Sequence, residues 1–333
     1  MPDREKKIRL IDRALEKLGP LEACCTLCPR RCRVDRTKGE RGICQTGSAA
    51  SVSHALLHFG EEPVLSGVDG VRAAGRGDPS GSGTIFFTGC NLKCLFCQNY
   101  QLSWLLEGDP VSDAELAGMM LRLQAEGALN VNLVSPTHVV LPILRALRIA
   151  CADGLELPLV WNSNGYDSLE VIQALEGIVD IYLPDLKYRS PDLSKRYSGA
   201  ADYFEHASAA IREMSVQRPV LETGPDGSAR RGLIVRHLVL PGATADSLAV
   251  LDWLAATLSP YIGLSLMSQY RPCHKAPSEL RRSLTPEEYR PAAERAAKLV
   301  DAHLFLQPEP FAPKEHLVPD FRRKEPFHWK KNV

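Results

Sequence analysis

The stretch TIFFTGCNLKCLFCQNY (Thr84–Tyr100) decides how the rest of the chain is read. Its first half is a short β-branched and aromatic run that stops at Gly89, the pattern of a buried strand ending in a turn. Five more runs of this kind follow: LNVNLV (Leu129–Val134), LPLVWNSN (Leu157–Asn164), IVDIYLPD (Ile178–Asp185), GLIVRHLVL (Gly232–Leu240) and IGLSLMS (Ile262–Ser268). Helix-patterned stretches lie between and after them, at about 111–127, 138–152, 168–177, 192–214, 244–258 and 285–303. Ser112 with Glu115 forms a capping box at the start of the first. Strands alternating with helices imply a parallel sheet with crossover helices. Nearly continuous apolar strands imply a sheet covered on both faces. Six units are fewer than a closed barrel of this type requires, so the expectation is α/β, an open (β/α)6 partial TIM barrel.

The chain has 333 residues, 44% apolar and 24% charged, with a formal net charge of zero. This is the composition of an ordinary globular protein, with no electrostatic bias toward nucleic acid or an anionic membrane. No apolar run is long enough to suggest a membrane span. The N-terminus lacks the apolar core of an export signal, and a cytoplasmic location is expected. Ile8, Ile11, Leu15 and Leu18 instead recur at helical spacing, predicting a docking helix that ends at Gly19-Pro20. Residues 1–83 read as this helix plus a small cysteine-rich metal-binding segment, 84–305 as the partial barrel, and 306–333 as a Pro-, Lys- and Arg-containing tail that wraps the surface. The glycine-rich Gly67–Gly83 reads as loop.

Eight of the ten cysteines fall between Cys24 and Cys97, in two groups. Clustered cysteines in a reducing compartment point to metal or redox chemistry rather than disulfides. Cys90, Cys94 and Cys97 are spaced C-x3-C-x2-C directly after the first strand. Thiolates at this spacing let one loop hold three corners of an iron–sulfur cube and leave one iron open. Loops after barrel strands build the active site. The alternatives are a zinc site or a cluster that only transfers electrons. Cys25, Cys28, Cys32 and Cys44, with Cys24 as an alternative first ligand, suit a closed zinc or iron–sulfur site. Cys151 and Cys273 read as inert buried thiols. His54 and His58 are four apart and would meet on a helix; ordinary histidines are the expectation, metal ligation the alternative. Arg30, Arg31, Arg33, Arg36 and Lys38 read as a solvated basic face, with docking of an acidic electron donor as the alternative.

C-x3-C-x-aromatic-C after a barrel's first strand, with Phe96 at the aromatic position, resembles the signature of the radical S-adenosylmethionine (SAM) superfamily. Asn91, Leu92, Phe96, Gln98 and Asn99 are similar to the loop of pyruvate formate-lyase activating enzyme and its uncharacterised relatives. The resemblance implies an oxidoreductase in which a [4Fe–4S] cluster on Cys90, Cys94 and Cys97 chelates SAM, with a low-potential flavodoxin or ferredoxin as donor. It further implies a SAM site at Phe96 and Asn99, at Asn162 and Asn164 of an N-S-N-G-Y turn, at Asp185 and Lys187 of D-L-K, and at Arg236 of R-x-x-V-x-P-G. Two features depart from the family pattern. Ser135-Pro136-Thr137 stands where relatives carry G-G-E-P, and is expected to take over its role. Gln269 and Tyr270 follow the last strand where the activating enzyme has a histidine, and are candidates for substrate contact. His138 is read as an N-terminal helix residue rather than an acid or base. The cysteines before the first strand do not match the extra clusters of known glycyl-radical activators, which are inserted after it. The functional expectation is cleavage of SAM and hydrogen abstraction from a substrate: a protein glycyl residue, or a small molecule. A non-catalytic iron–sulfur or zinc protein is the third reading.

Overall fold

The computed structural model describes residues 2–67, 81–299, 303–307 and 318–327. Its sheet is built from β1 (Ala50–His58), β2 (Ser82–Phe87), β3 (Asp109–Val111), β4 (Val131–Val134), β5 (Leu159–Asn162), β6 (Ile181–Tyr182), β7 (Glu222–Thr223), β8 (Ala229–Leu238), β9 (Gly263–Met267) and β10 (Leu304–Leu306). The order is β10-β9-β8-β6-β5-β4-β2-β1-β3, and its two ends do not pair among the described residues, so the sheet is open. From β2 to β10 all neighbours on this path run parallel. All six strands expected from the apolar runs are present. β10 adds a seventh parallel strand, and β1 pairs antiparallel with both β2 and β3.

After the one-turn α3 (Tyr100–Ser103), the crossovers are α4 (Asp113–Ala125), α5 (Val140–Ala152), α6 (Leu169–Ala174), α7 (Pro191–Ser198), α8 (Tyr203–Gln217), α9 (Thr244–Thr257) and α10 (Pro286–Ala296). Ser112 caps α4 through the expected reciprocal bonds with Glu115. The single helix expected over 192–214 is two, because the chain breaks at Gly199, whose φ of 60° closes α7 in the left-handed conformation. Helix α1 (Pro2–Leu18) docks as expected, burying Ile11, Ala14 and Leu18 in the main core. No helix among the described residues is long and apolar enough to cross a membrane.

Alternation along the strands decides what the sheet encloses. Leu159, Trp161, Tyr182, Leu233 and Val235 belong to the main core with the helices. Val160, Ile181 and Ile234 belong to a second cluster, with Leu65 at its centre. Leu65 lies on α2 (Pro63–Ser66), whose carbonyl accepts from Asn130 Nδ2 at 2.9 Å. This one-turn helix, which comes before the barrel in sequence, therefore plugs the barrel interior. Two residues further along the same strand faces come Asn162 and Arg236, above the plug.

The cysteine-rich segment is held by few regular elements. Asp35 caps a 3₁₀ turn over Arg36–Lys38, and Cys25 pairs through its backbone with Arg33 and Val34. The glycine-rich loop expectation falls largely on 68–80, outside the described residues. Of the tail, residues 318–327 lie against β1 and β2; most of the rest is outside the described residues.

Candidate active site

A cavity of about 530 Å³ opens at the C-terminal ends of the parallel strands. Of the residues expected around SAM and substrate from the sequence, Phe96, Asn99, Ser135, Asn162, Asn164, Asp185, Lys187, Arg236, Gln269 and Tyr270 line it, and Pro136 and Thr137 do not. Cys90, Cys94 and Cys97 line it as well. Pro136 instead precedes the 3₁₀ turn Thr137–Val139.

The cysteine loop is held by close backbone contact. Gly89 has a φ of 82°, and a Cβ there would lie 2.6 Å from the Cys44 carbonyl oxygen. Only glycine fits this conformation and this approach. Asn91 Nδ2 donates to the Tyr166 carbonyl at 2.6 Å, tying the loop to the turn after β5. From that turn Asn164 Nδ2 donates to Asn91 Oδ1 at 2.8 Å and to Cys90 Sγ at 3.4 Å. Ser198 Oγ donates to Cys94 Sγ at 3.2 Å. Burial holds the Cys94 thiol above its ordinary pKa and pushes Cys97 up to about 12. Such thiols become thiolates when a bound metal supplies the compensating charge. Three sulfurs, two with hydrogen-bond donors already aimed at them, fit an iron–sulfur cluster. Phe96 packs edge-on against Tyr197 and Tyr270, with centroids 6.2 and 5.7 Å away.

Two charged assemblies face the cavity. Lys187 Nζ lies 2.6 Å from Asp185 Oδ2. Burial opposes the ammonium charge, but Asp185 and Cys94 overcome it and raise the pKa of Lys187. Arg236 is held by Glu61 and Glu62, the two residues just before α2. Arg236 Nε donates to Glu62 Oε1 at 2.8 Å and Nη2 to Oε2 at 2.5 Å, and Nη2 also bonds Glu61. Asn132 Nδ2 donates to Glu61 Oε1 at 2.9 Å. Burial would raise the Glu61 pKa; Arg236 and His58 overcome it and hold the carboxyl well below the usual range. Glu61 and Glu62 form the floor of the cavity. In the sequence this acidic pair beside a proline looks like a solvated turn; its role shows only when the plug folds inward.

Several expectations change with the geometry. His54 and His58 sit on strand β1, not on a helix, so they are far apart along an extended backbone. His54 donates through Nε2 to the Arg323 carbonyl at 2.9 Å, and the His58 ring packs 4.4 Å from Phe327. Arg30 and Arg36 do not belong to an exposed basic face. Arg30 is bonded to four carbonyls, and Arg36 is 4% exposed. Arg31, Arg33 and Lys38 are exposed. His138, read as an N-terminal helix residue, lies in the 3₁₀ turn Thr137–Val139 just before α5. It is buried beside α5, its Nε2 donates to Thr88 O at 2.8 Å, and burial lowers its pKa to about 4. Thr137 does not face the cavity; its hydroxyl donates to Asp167 at 2.6 Å. Ser135 does, from a left-handed φ of 57°. Tyr270 lines the cavity while its hydroxyl donates to Leu280 O at 2.7 Å. Gln269 Oε1 accepts from Gln307 at 3.0 Å. Phe327 in the C-terminal segment also lines the cavity, packed on Phe86 at 5.6 Å. Nothing in the tail's sequence marked it as a wall of the site.

A partial parallel barrel whose first loop brings three cysteines to a cavity at the strands' C-terminal ends suits a protein that would bind a metal cluster at that loop. The radical SAM superfamily model matches residues 84–223. An uncharacterized protein of Methanocaldococcus jannaschii is 32% identical over 307 residues, spanning 88% of this chain and 80% of that protein. The chain belongs to the radical SAM superfamily. Among solved structures, it is similar to Streptococcus suis SuiB bound to the precursor peptide SuiA (TM-score 0.45, 9% identity, 66% of this chain and 46% of that one). It is also similar to SuiB bound to S-adenosylmethionine (0.43, 12%, 66% and 47%) and to anSMEcpe with bound AdoMet (0.40, 14%, 61% and 55%). The chain spans about half the length of these structures.

Proposed function

We propose that this chain is an oxidoreductase that cleaves SAM reductively and uses the resulting 5′-deoxyadenosyl radical to take a hydrogen from a substrate held in the barrel mouth. The observation that carries the reading is that Cys90, Cys94 and Cys97 share one cavity with the polar strand-end residues. When bound, a [4Fe–4S] cluster with one open iron supplies the electron and the coordination site for SAM. The protein's own residues orient and shield. Asn164 and Ser198 donate to the cluster thiolates. Lys187, kept cationic by Asp185, suits the carboxylate of SAM. Ser135, Asn162 and Asn164 offer polar atoms to its ammonium and ribose hydroxyls. Arg236 is already satisfied by Glu61 and Glu62, so its part is to form a rigid polar floor rather than a free clamp. Phe96, packed between two tyrosines, keeps that side of the loop dry.

A small molecule is the favoured substrate. Glu61, Glu62 and the start of the α2 plug close the cavity's floor, and Phe327 closes one side, as in an enclosed small-molecule site. A protein glycyl residue is the second reading, supported by the cluster loop's likeness to activating enzymes. A reduced flavodoxin or ferredoxin is the proposed donor. The four N-terminal thiols are proposed to bind metal.

The test is anaerobic reconstitution with iron and sulfide, then dithionite and SAM. Release of 5′-deoxyadenosine is expected, and a cavity-sized substrate deuterated at the reacting carbon should transfer deuterium into it. A Cys90/Cys94/Cys97 triple alanine variant that still forms 5′-deoxyadenosine would falsify the assignment.

A further inference from the structure

Cys25, Cys28, Cys32 and Cys44 are free thiols; Cys25, Cys28 and Cys44 are buried and Cys32 is half-buried. The backbone folds them together. Cys25 N–H donates to Val34 O and its carbonyl accepts from Arg33, both at 2.9 Å. The carbonyl of Cys28 accepts from Arg31 at 3.0 Å in a tight turn. Cys32 Sγ accepts from the Ile43 N–H at 3.5 Å, one residue before Cys44, and Arg36 Nη2 donates to Cys44 Sγ at 3.3 Å. Among the described residues no group of three His, Cys, Asp or Glu side chains is placed to hold a single metal ion; this applies to these thiols and to Cys90, Cys94 and Cys97 alike.

The segment lies directly on the SAM-cluster loop. Arg30 donates to the carbonyls of Asn91 at 2.8 Å and Leu92 at 3.1 Å, within that loop, and of Ser198 at 2.8 Å and Gly199 at 2.5 Å. Ser198 is the residue that donates to Cys94 Sγ. The Cys44 carbonyl packs on Gly89, whose next neighbour in the chain is Cys90. One backbone contact and one peptide bond thus join a residue of one cysteine set to a residue of the other. Cys25, Leu27, Cys90, Leu92 and Cys94 all belong to the main hydrophobic core. On the outer side Arg31, Arg33, Lys38 and Arg41 are exposed.

We propose that Cys25, Cys28, Cys32 and Cys44 hold an iron–sulfur cluster that takes electrons from outside and passes them to the Cys90–Cys94–Cys97 cluster. This rests on the radical SAM reading and assigns its route of reduction. A one-electron donor, a reduced flavin or iron–sulfur protein with an acidic face, gives one electron to the N-terminal cluster and is oxidised by one electron. The N-terminal cluster gives that electron to the SAM cluster and returns to its oxidised state; no bond is made or broken. Four ligands close a cluster to substrate, as a relay requires, and the donors on Cys32 and Cys44 sulfurs help set its potential. A zinc ion would fold the same segment but exchange no electron.

The test uses full-length protein reconstituted anaerobically. The Cys90/Cys94/Cys97 triple alanine variant is expected to retain iron and a reduced-state EPR signal that SAM leaves unchanged; zinc without iron overturns the proposal. The Cys28→Ser/Cys44→Ser variant is expected to keep a SAM-responsive signal and dithionite-driven 5′-deoxyadenosine formation. Its rate with a reduced flavoprotein should fall by at least an order of magnitude, and equal rates with both donors overturn the relay. If that variant does not fold, the doubly reduced wild type decides: magnetic broadening between two clusters supports the relay, and a single unbroadened signal overturns it. If instead the wild type and the triple variant hold equal iron and neither responds to SAM, the radical SAM assignment itself fails.

Discussion

The two cysteine sets touch, yet they differ in what surrounds them. Cys90, Cys94 and Cys97 open onto a cavity furnished with asparagines, two ion-pair assemblies and an aromatic wall. Cys25, Cys28, Cys32 and Cys44 line no part of that cavity and are enclosed by their own turns and by the back of the other loop. Three sulfurs beside a polar cavity can share a cluster with a ligand; four sulfurs without one can hold a metal but offer it no reactant. The contrast teaches that ligand count and access together separate a chemical centre from a supporting one.

The largest expected effect falls on the cavity side. Cys94→Ala should reduce 5′-deoxyadenosine formation to background, because two thiolates and a water do not hold the cluster in register with its coordinating cavity. Assays with dithionite bypass any effect on electron supply, so a surviving rate would remove the distinction between the two sets.

Next comes the floor. Arg236→Ala leaves Glu61 and Glu62 buried without their cation, and should cost about 3–5 kcal/mol in urea unfolding of the full chain. A loss under about 1 kcal/mol would mean that these carboxylates take up protons or water at little cost, and that the floor is not preorganised.

The tether between the two regions is smaller. Arg30→Ala removes charge-assisted bonds to four carbonyls and a guanidinium 5.3 Å from the Tyr166 ring, and should cost about 2–3 kcal/mol. It should also increase hydrogen exchange in both the cysteine-rich segment and the cluster loop. Exchange confined to one of them would show that the two are not mechanically joined.

The smallest effect serves as a reference within the barrel. Ser112→Ala removes a helix cap outside the cavity lining and should cost about 1 kcal/mol without changing the EPR response to SAM. A changed response would mean that cluster geometry is sensitive to global stability rather than to its own contacts.

Legibility in the sequence followed periodicity. The six apolar runs became strands because parallel strands covered on both faces carry a dense local signal. Asn162, Asn164, Asp185, Lys187 and Arg236 reach the cavity because each ends or continues such a strand. β1 is hard to read since its Ala-Ser-Val-Ser alternation slips at the irregularity between Val52 and His54, and it pairs antiparallel at the barrel's flank. The α2 plug is one turn long, too short for any period to show, so Glu61 and Glu62 acquired meaning only from the three-dimensional approach of Arg236. Phe327 lies far from the barrel in sequence and reaches the cavity through packing on Phe86, a contact no local pattern encodes. The break at Gly199 was locally readable as a left-handed cap, but it was overridden by the helical spacing on either side.

EPR of the dithionite-reduced full-length protein, recorded with and without SAM, tests the central claim most directly. An open iron gripped by only three sulfurs predicts that SAM shifts the g-values of the reduced cluster, and that the Cys28→Ser/Cys44→Ser variant shows the same shift. A spectrum indifferent to SAM in the fully reconstituted protein would contradict it.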